Sequence, residues 1–267
     1  MQSIEGQVAW ITGAGSGIGR ALALRMAHEQ PRSIVVADLN VASVEAVATE
    51  IGPAAVAVGV DVGRESEIVA LVQRAREAGG PIDLFCSNAG IPGPGGGPEA
   101  SDEELQLTWE INTMAHIWAA RAVLPEMVAR GEGYLLSTAS AAGLLTQVGA
   151  LAYSVTKHAA VAVAEWLAIT YGDAGVRVSC LCPQGVRTPM LELALEDPVG
   201  AAPLLAEGLL EPEEVAEAVI EGIREERFLI LPHPRVADHL ALKATQSERW
   251  LKGMRRLVRQ ARTGAGS

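Results

Sequence analysis

The sequence predicts a doubly wound α/β fold: a single Rossmann-type domain with one parallel sheet of about seven strands and helices on both faces. Three observations carry that expectation. Short apolar runs alternate with longer segments of helical spacing. Most of the runs are continuously apolar, as strands covered on both faces are. The first run passes directly into the glycine-rich string Thr12-Gly13-Ala14-Gly15-Ser16-Gly17-Ile18-Gly19, and a helix follows it.

The expected strands fall at 8–12, 33–37, 54–60, 82–87, 134–137, 176–182 and 228–231. Helical spacing marks 18–29, 42–51, 65–78, 103–130 and 151–171, and another helix starts near Pro212. Residues 91–98 read IPGPGGGP, a loop by composition. Residues 188–210 mix Leu, Ala, Pro and Gly without clear period and follow the C-terminal end of a strand, where a segment is placed to cover a ligand. No linker or repeat divides the 267 residues, and 49% hydrophobic against 20% charged residues provides a core for one domain, 1–267. A helical extension is expected over about 234–262. There Trp250, Leu251, Met254, Leu257 and Val258 form an apolar stripe beside Arg255, Arg256 and Arg259. Such helices bind membranes or acidic partners; docking at a subunit surface is the preferred expectation, and membrane binding the lesser one.

A net charge of -11 argues against nucleic acid, whose phosphates most of this surface would repel. Cys86, Cys180 and Cys182 are odd in number, lack CxxC spacing and lie in apolar runs, so they read as buried thiols of a reducing compartment, with no metal site. Met1 to Gln7 is polar and acidic, unlike a signal peptide, and Gln147, Gly149, Lys157 and His158 interrupt the most apolar region. A cytoplasmic location is therefore expected.

The glycines of the string allow a tight turn, bring backbone N–H groups to a pyrophosphate and let the helix approach the strand. Gly13, Ser16, Gly17, Ile18 and Gly19 are thus candidate dinucleotide contacts. Asp38 ends the second strand, where a carboxylate accepts hydrogen bonds from ribose hydroxyls. It would also repel a 2′-phosphate, by about 4 kcal/mol for unit charges ~4 Å apart at an effective dielectric near 20. Ser16 and Leu39 supply no compensating base, so NAD is expected rather than NADP. The competing account of Asp38 is that it caps the helix near Val41. Asp61 and Val62 after the third strand, and Asn88, Ala89 and Gly90 after the fourth, are further candidates, with turn formation the alternative for each.

Tyr153 and Lys157 stand four apart at the start of the 151–171 helix and so share one face. A neighbouring ammonium favours a phenolate, and a phenol so tuned can exchange a proton with an alcohol or ketone. Ser140 can hydrogen-bond the oxygen that gains charge, with Ser137 and Thr138 as rivals. Asn112, a mediocre helix former inside 103–130, invites a reason beyond helix formation.

Together, TGAGSGIG at 12–19, Asp61, SNAG at 87–90, Asn112, Ser140 and YSVTK at 153–157 resemble the short-chain dehydrogenase/reductase family over roughly residues 5–231. Ser140 precedes Tyr153 by 13 residues, as the family pattern has it. The resemblance implies Tyr153 as general acid/base, Lys157 as the residue that lowers its pKa and holds the nicotinamide ribose, Ser140 orienting substrate, and Asn112 holding a water of a proton relay. It also implies Pro183, Val186 and Thr188 on the nicotinamide side. Two positions depart from the pattern: Ser87 replaces an Asn, and Gln184 replaces the Gly that usually follows the Pro. Gln184 is therefore a candidate substrate contact. The apolar Leu144, Leu145, Val148, Met190, Leu191 and Leu195 are expected around a hydrophobic alcohol or ketone. The helix at 151–171 is apolar almost all round, which with the resemblance implies a homodimer or homotetramer. The expected activity is NAD(H)-dependent alcohol/ketone interconversion. Its alternatives are an NADP-dependent carbonyl or 3-oxoacyl-type reductase and a non-catalytic dinucleotide-binding regulator.

Overall fold

The computed structural model describes residues 3–205 and 208–263. Met1 and Gln2 of the polar N-terminal segment, and residues 206–207 of the 188–210 segment, lie outside them. In chain order the elements begin β1 (Val8–Thr12), α1 (Gly17–Ala27), β2 (Ser33–Asp38), α2 (Val41–Ile51), β3 (Ala55–Gly59), α3 (Glu65–Gly79) and β4 (Leu84–Ser87). Next come α4 (Asp102–Trp109), a π-helical turn (Glu110–Met114), α5 (Ala115–Arg130), β5 (Gly133–Thr138), α6 (Ala142–Leu145), α7 (Leu151–Tyr171) and β6 (Val176–Leu181). The chain continues through α8 (Pro189–Ala194), α9 (Pro198–Leu205), α10 (Pro212–Arg224), β7 (Leu229–Ile230), α11 (Arg235–Thr245) and α12 (Ser247–Thr263).

The strands form one parallel sheet in the order β3-β2-β1-β4-β5-β6-β7. Strand β1 shows how it is buried. Val8 and Trp10 pack into a core that includes residues of α3, α5 and α7, whereas Ala9 and Ile11 pack into a second core with α1 and α10. Successive side chains leave opposite faces, so a continuously apolar strand is what two covered faces require. Edge strand β3 departs from that expectation: its residues are exposed or half-buried along its length. The order reverses between β1 and β4, and the crevice outside the carboxyl ends of strands at such a point is where ligands bind.

Two expected helices are subdivided. The 103–130 segment contains the π-helical turn, whose wider backbone carries Asn112. The C-terminal extension breaks at Gln246 into α11 and α12. No helix of the described residues is long and apolar enough to cross a membrane.

Candidate active site

A cleft of about 690 Å³ opens at this crevice and runs from the Gly13–Gly19 turn to α8 and α9. At the turn the backbone is packed to its limit. A Cβ on Gly19 would stand 2.1 Å from the Gly13 carbonyl oxygen, and one on Gly13 would stand 2.7 Å from Ala89 Cα. Gly13 and Gly17 also take φ of 66° and 50°, which side-chain-bearing residues rarely adopt. Helix α1 then presents its N-terminus to the cleft, the geometry that receives an anion. Thr12 ties the turn to β4: its Oγ1 accepts from the Asn88 and Ala89 N–H groups at 3.0 and 3.2 Å. Asn88 returns the contact, donating through Nδ2 to the Thr12 carbonyl at 3.0 Å.

Asp38 shapes this end without capping α2. Its Oδ2 accepts from Gly15 N and its Oδ1 from Asn40 N, each at 3.0 Å, while Asn40 is the cap, accepting from Ser43 N. Among the described residues lining the cleft, the one Lys or Arg is Lys157, at the other end; Asp38 and Leu39 stand without a cation. Asp61 also lines the cleft, but its carboxylate already accepts from Gly63 N at 2.9 Å and from Arg64 Nε at 3.2 Å. Turn formation therefore accounts for much of Asp61.

At the chemical end, Ser140, Tyr153 and Lys157 line the same stretch of cleft. Lys157 is buried, and its Nζ donates to the Thr138 carbonyl at 3.0 Å while lying 5.7 Å from the centroid of the Tyr153 ring. Burial pushes the lysine down to about 8. Burial also raises the Tyr153 phenol above its ordinary value, and the Ser140 hydroxyl, hydrogen-bonded to it, opposes that rise. The expectation that the ammonium sets the phenol's pKa is corrected here. Desolvation is the larger effect, because both groups sit in a wall built from β5, β6 and α7.

Asn112 stands behind this wall rather than in the cleft. It accepts from Ile91 N and donates to the Ile91 carbonyl, both at 2.9 Å, and donates to Thr156 Oγ1 at 3.3 Å. It meets Lys157 only across Gly90, where an added Cβ would lie 3.2 Å from Asn112 Oδ1 and 3.3 Å from Lys157 Nζ. The π-helical turn thus staples the 91–98 loop to α7.

The substrate end is partly as expected. Val148, Gln184, Met190 and Leu191 line the cleft, as do Pro183, Val186 and Thr188. Leu144 and Leu145 do not: they pack with Ala141 and Val236 under α11, because the short helix α6 turns them away from the opening. Leu195 is also absent from the lining and lies partly exposed beyond α8. Helix α9 roofs this end, held by two glutamine amides. Gln147 Nε2 donates to the Gly200 carbonyl at 2.6 Å and Gln184 Nε2 to the Pro203 carbonyl at 2.7 Å. Below them lies a residue that sequence reasoning missed. Buried His233 accepts from Gln184 N through Nδ1, and its Nε2–H donates to the Gly185 carbonyl, each at 3.2 Å. Thr12 was legible in the glycine motif; His233 sits in a loop after β7 with no local signal.

The short chain dehydrogenase family model matches residues 7–198. The chain belongs to the short-chain dehydrogenase/reductase family. It is similar to estradiol 17-beta-dehydrogenase 11 of Mus musculus, at 31% identity over 96% of this chain and 85% of that protein. It is also similar to 1-deoxy-11-beta-hydroxypentalenate dehydrogenase of Streptomyces exfoliatus, at 36% identity over 85% of this chain and 83% of that one. A solved short-chain dehydrogenase/reductase from Burkholderia phymatum, in complex with NAD, superposes with a TM-score of 0.85 at 30% identity, over 93% of this chain and 96% of that one. As a short-chain dehydrogenase/reductase, the protein is an oxidoreductase, and the family model ends at α9's first residue. The segment from α9 to α12, which roofs and braces the cleft, lies beyond that match.

Proposed function

We propose that the protein interconverts a bulky hydrophobic secondary alcohol and its ketone with NAD(H) as hydride carrier. The observation that carries this reading is Ser140, Tyr153 and Lys157 on one stretch of a cleft whose other end is a glycine cradle beside an unneutralised Asp38. The cradle fits a dinucleotide because Gly13 and Gly19 let α1 and the end of β4 close against the turn, and Ser16, Gly17, Ile18 and Gly19 at the N-terminus of α1 line the cleft where its pyrophosphate would lie. Gly13, Ser16, Gly17, Ile18 and Gly19 would hold that part, Asp38 and Leu39 the adenosine ribose, Asp61 and Val62 the adenine, and Asn88, Ala89 and Gly90 the groove floor. Pro183, Val186 and Thr188 would border the nicotinamide, with Tyr153 and Lys157 across from them. When bound, the nicotinamide supplies the hydride chemistry.

The chain's own residues handle the proton. Ser140 holds the substrate oxygen, and the Tyr153 phenol gives its proton to that oxygen as a ketone is reduced, or takes it from an alcohol. Lys157 positions the ribose and supports the phenolate once it forms. Asn112 orders the loop beside Lys157, where a relay water would pass.

NAD is preferred because Asp38 meets a 2′-phosphate with like charge and no nearby cation offsets it. The relatives named as estradiol and hydroxypentalenate dehydrogenases are consistent with the apolar Val148, Met190 and Leu191 lining the cleft. Turnover of a panel of cyclic secondary alcohols and ketones, read by NADH absorbance and repeated with NADPH, tests the reading. Dinucleotide binding without turnover on any of them would instead indicate a regulator. A second copy would cover the face of α4 and α7 where Leu107, Val155, Trp166 and Ile169 are exposed, and light scattering of wild type and Trp166→Glu tests that assembly.

A further inference from the structure

Helix α12 has a role that the oxidoreductase reading does not absorb. It carries six basic residues and one acid in a chain whose net charge is -11. Elsewhere arginines pair: Arg20 with Glu50, Arg130 with Asp83, Arg177 with Glu226, Arg187 with Glu211, Arg224 with Glu29. Among the described residues no carboxylate pairs with Lys252, Arg255, Arg256, Arg259 or Arg262. Their spacing puts all five on one helical stripe, and each is exposed.

The opposite stripe is occupied by the chain itself. Trp250 packs against the small core of Ala141, Leu145 and Val236 and meets the His239 ring at 5.8 Å between centroids. Met254, Leu257 and Val258 are half-buried on the side where α12 packs on α9 and α11. The apolar stripe is therefore not left over for a subunit, and what α12 presents outward is cationic. At its margin apolar side chains are exposed: Leu205, at the end of the roof helix α9 on which α12 packs, is 51% exposed and Leu251 of α12 itself 48%.

We propose that α12 docks the protein peripherally on an anionic phospholipid surface, with the leucines of the roof and of α12 at the contact. Charge complementarity selects this occupant. Free cations in a row meet a layer of lipid phosphates, and leucines at their margin enter the boundary between headgroups and acyl chains. The exposed α4–α7 face, which is apolar, suits a second copy and is built from other elements. Because the rest of the chain is acidic, docking is local, reversible and salt-sensitive. The screening length falls from about 10 Å at 0.1 M to about 3 Å at 1 M salt.

The test uses the full chain and co-sedimentation with vesicles of phosphatidylcholine, with and without phosphatidylglycerol, at low and high salt. The expected result is pelleting with the phosphatidylglycerol vesicles alone, reduced about tenfold by high salt and by Arg255→Glu/Arg256→Glu/Arg259→Glu. The same three positions changed to Gln give a milder set should the reversal not fold, and thermal melting checks each. No pelleting with anionic vesicles, equal pelleting without them, or binding that survives both salt and charge removal overturns the proposal. Loss of oligomer mass in the Glu variant without vesicle binding by wild type also overturns it and assigns the stripe to the acidic surface of a second copy. Vesicle binding is read without turnover, so it stands or falls apart from the proposed reaction.

Discussion

Asp38→Asn separates the electrostatic contribution of Asp38 from its structural one. The side chain accepts two backbone hydrogen bonds, from Gly15 and Asn40, both at 3.0 Å. Asparagine retains one acceptor oxygen, so one charge-assisted bond is lost, about 1.5–3 kcal/mol. That loss loosens the glycine turn for either dinucleotide and cancels in their ratio. The charge does not cancel. A carboxylate ~4 Å from one phosphate charge costs about 1 kcal/mol in water and about 4 kcal/mol at an effective dielectric of 20. Asp38 is half-buried at the rim, so the ratio of kcat/KM for NADPH over NADH should rise by a factor between about 5 and 1,000 in the variant. The rise should shrink as salt is added. The assay is ketone reduction with each cofactor, wild type beside variant. A wild type that already prefers NADPH, or a ratio unmoved by the substitution, refutes the assignment of cofactor choice to this charge.

Other substitutions probe the remaining parts. Tyr153→Phe should abolish turnover while dinucleotide affinity, read by fluorescence titration, changes little; retained turnover would remove the phenol from the proton path. Lys157 has a folded-state pKa lowered from 10.5 to about 8, so between those values the unfolded chain binds the extra proton and stability rises with pH. Wild type should accordingly gain about 3 kcal/mol across that window relative to Lys157→Met, and parallel denaturation curves for the two proteins would contradict the buried ammonium. His233→Leu leaves the Gln184 N–H unpaired, at about 1–3 kcal/mol, while the Gly185 carbonyl keeps its bond from Leu210 N. It should lower Tm and raise KM for the ketone more than for NADH, with partial recovery in His233→Gln; equal effects on both would mean that His233 supports the fold alone. Gln184→Gly frees α9 from its Pro203 contact and should broaden acceptance of bulky ketones, whereas an unchanged selectivity profile would exclude Gln184 from specificity.

The sequence by itself marked the strands, the glycine turn and the Tyr153–Lys157 pair, because each rests on local chemistry, whereas Ser140 stood level with Ser137 and Thr138 until the family resemblance singled it out. Continuous apolar runs mark strands, covered on both faces in β1 though not at the β3 edge; glycines permit the positive φ that Gly13 and Gly17 take; and residues four apart on a helix share a side. The boundaries of β1 and α7 follow from the residues they contain. What only the tertiary structure decided depends on groups distant in the chain. Leu144 and Leu145 read as pocket residues, yet α11, about ninety residues later, covers them. Asn112 looked like a helix residue with a catalytic errand, and its side chain proves to be spent on Ile91 and Thr156 through a π-helical turn that no periodicity announces. The Tyr153–Lys157 spacing was readable, but the sign of the phenol's shift was not, since desolvation comes from walls that several strands and helices build together. His233 and the roof of α9 belong to the same class: burial and hydrogen-bond partnership are properties of the assembled fold, and a linear pattern holds no record of them.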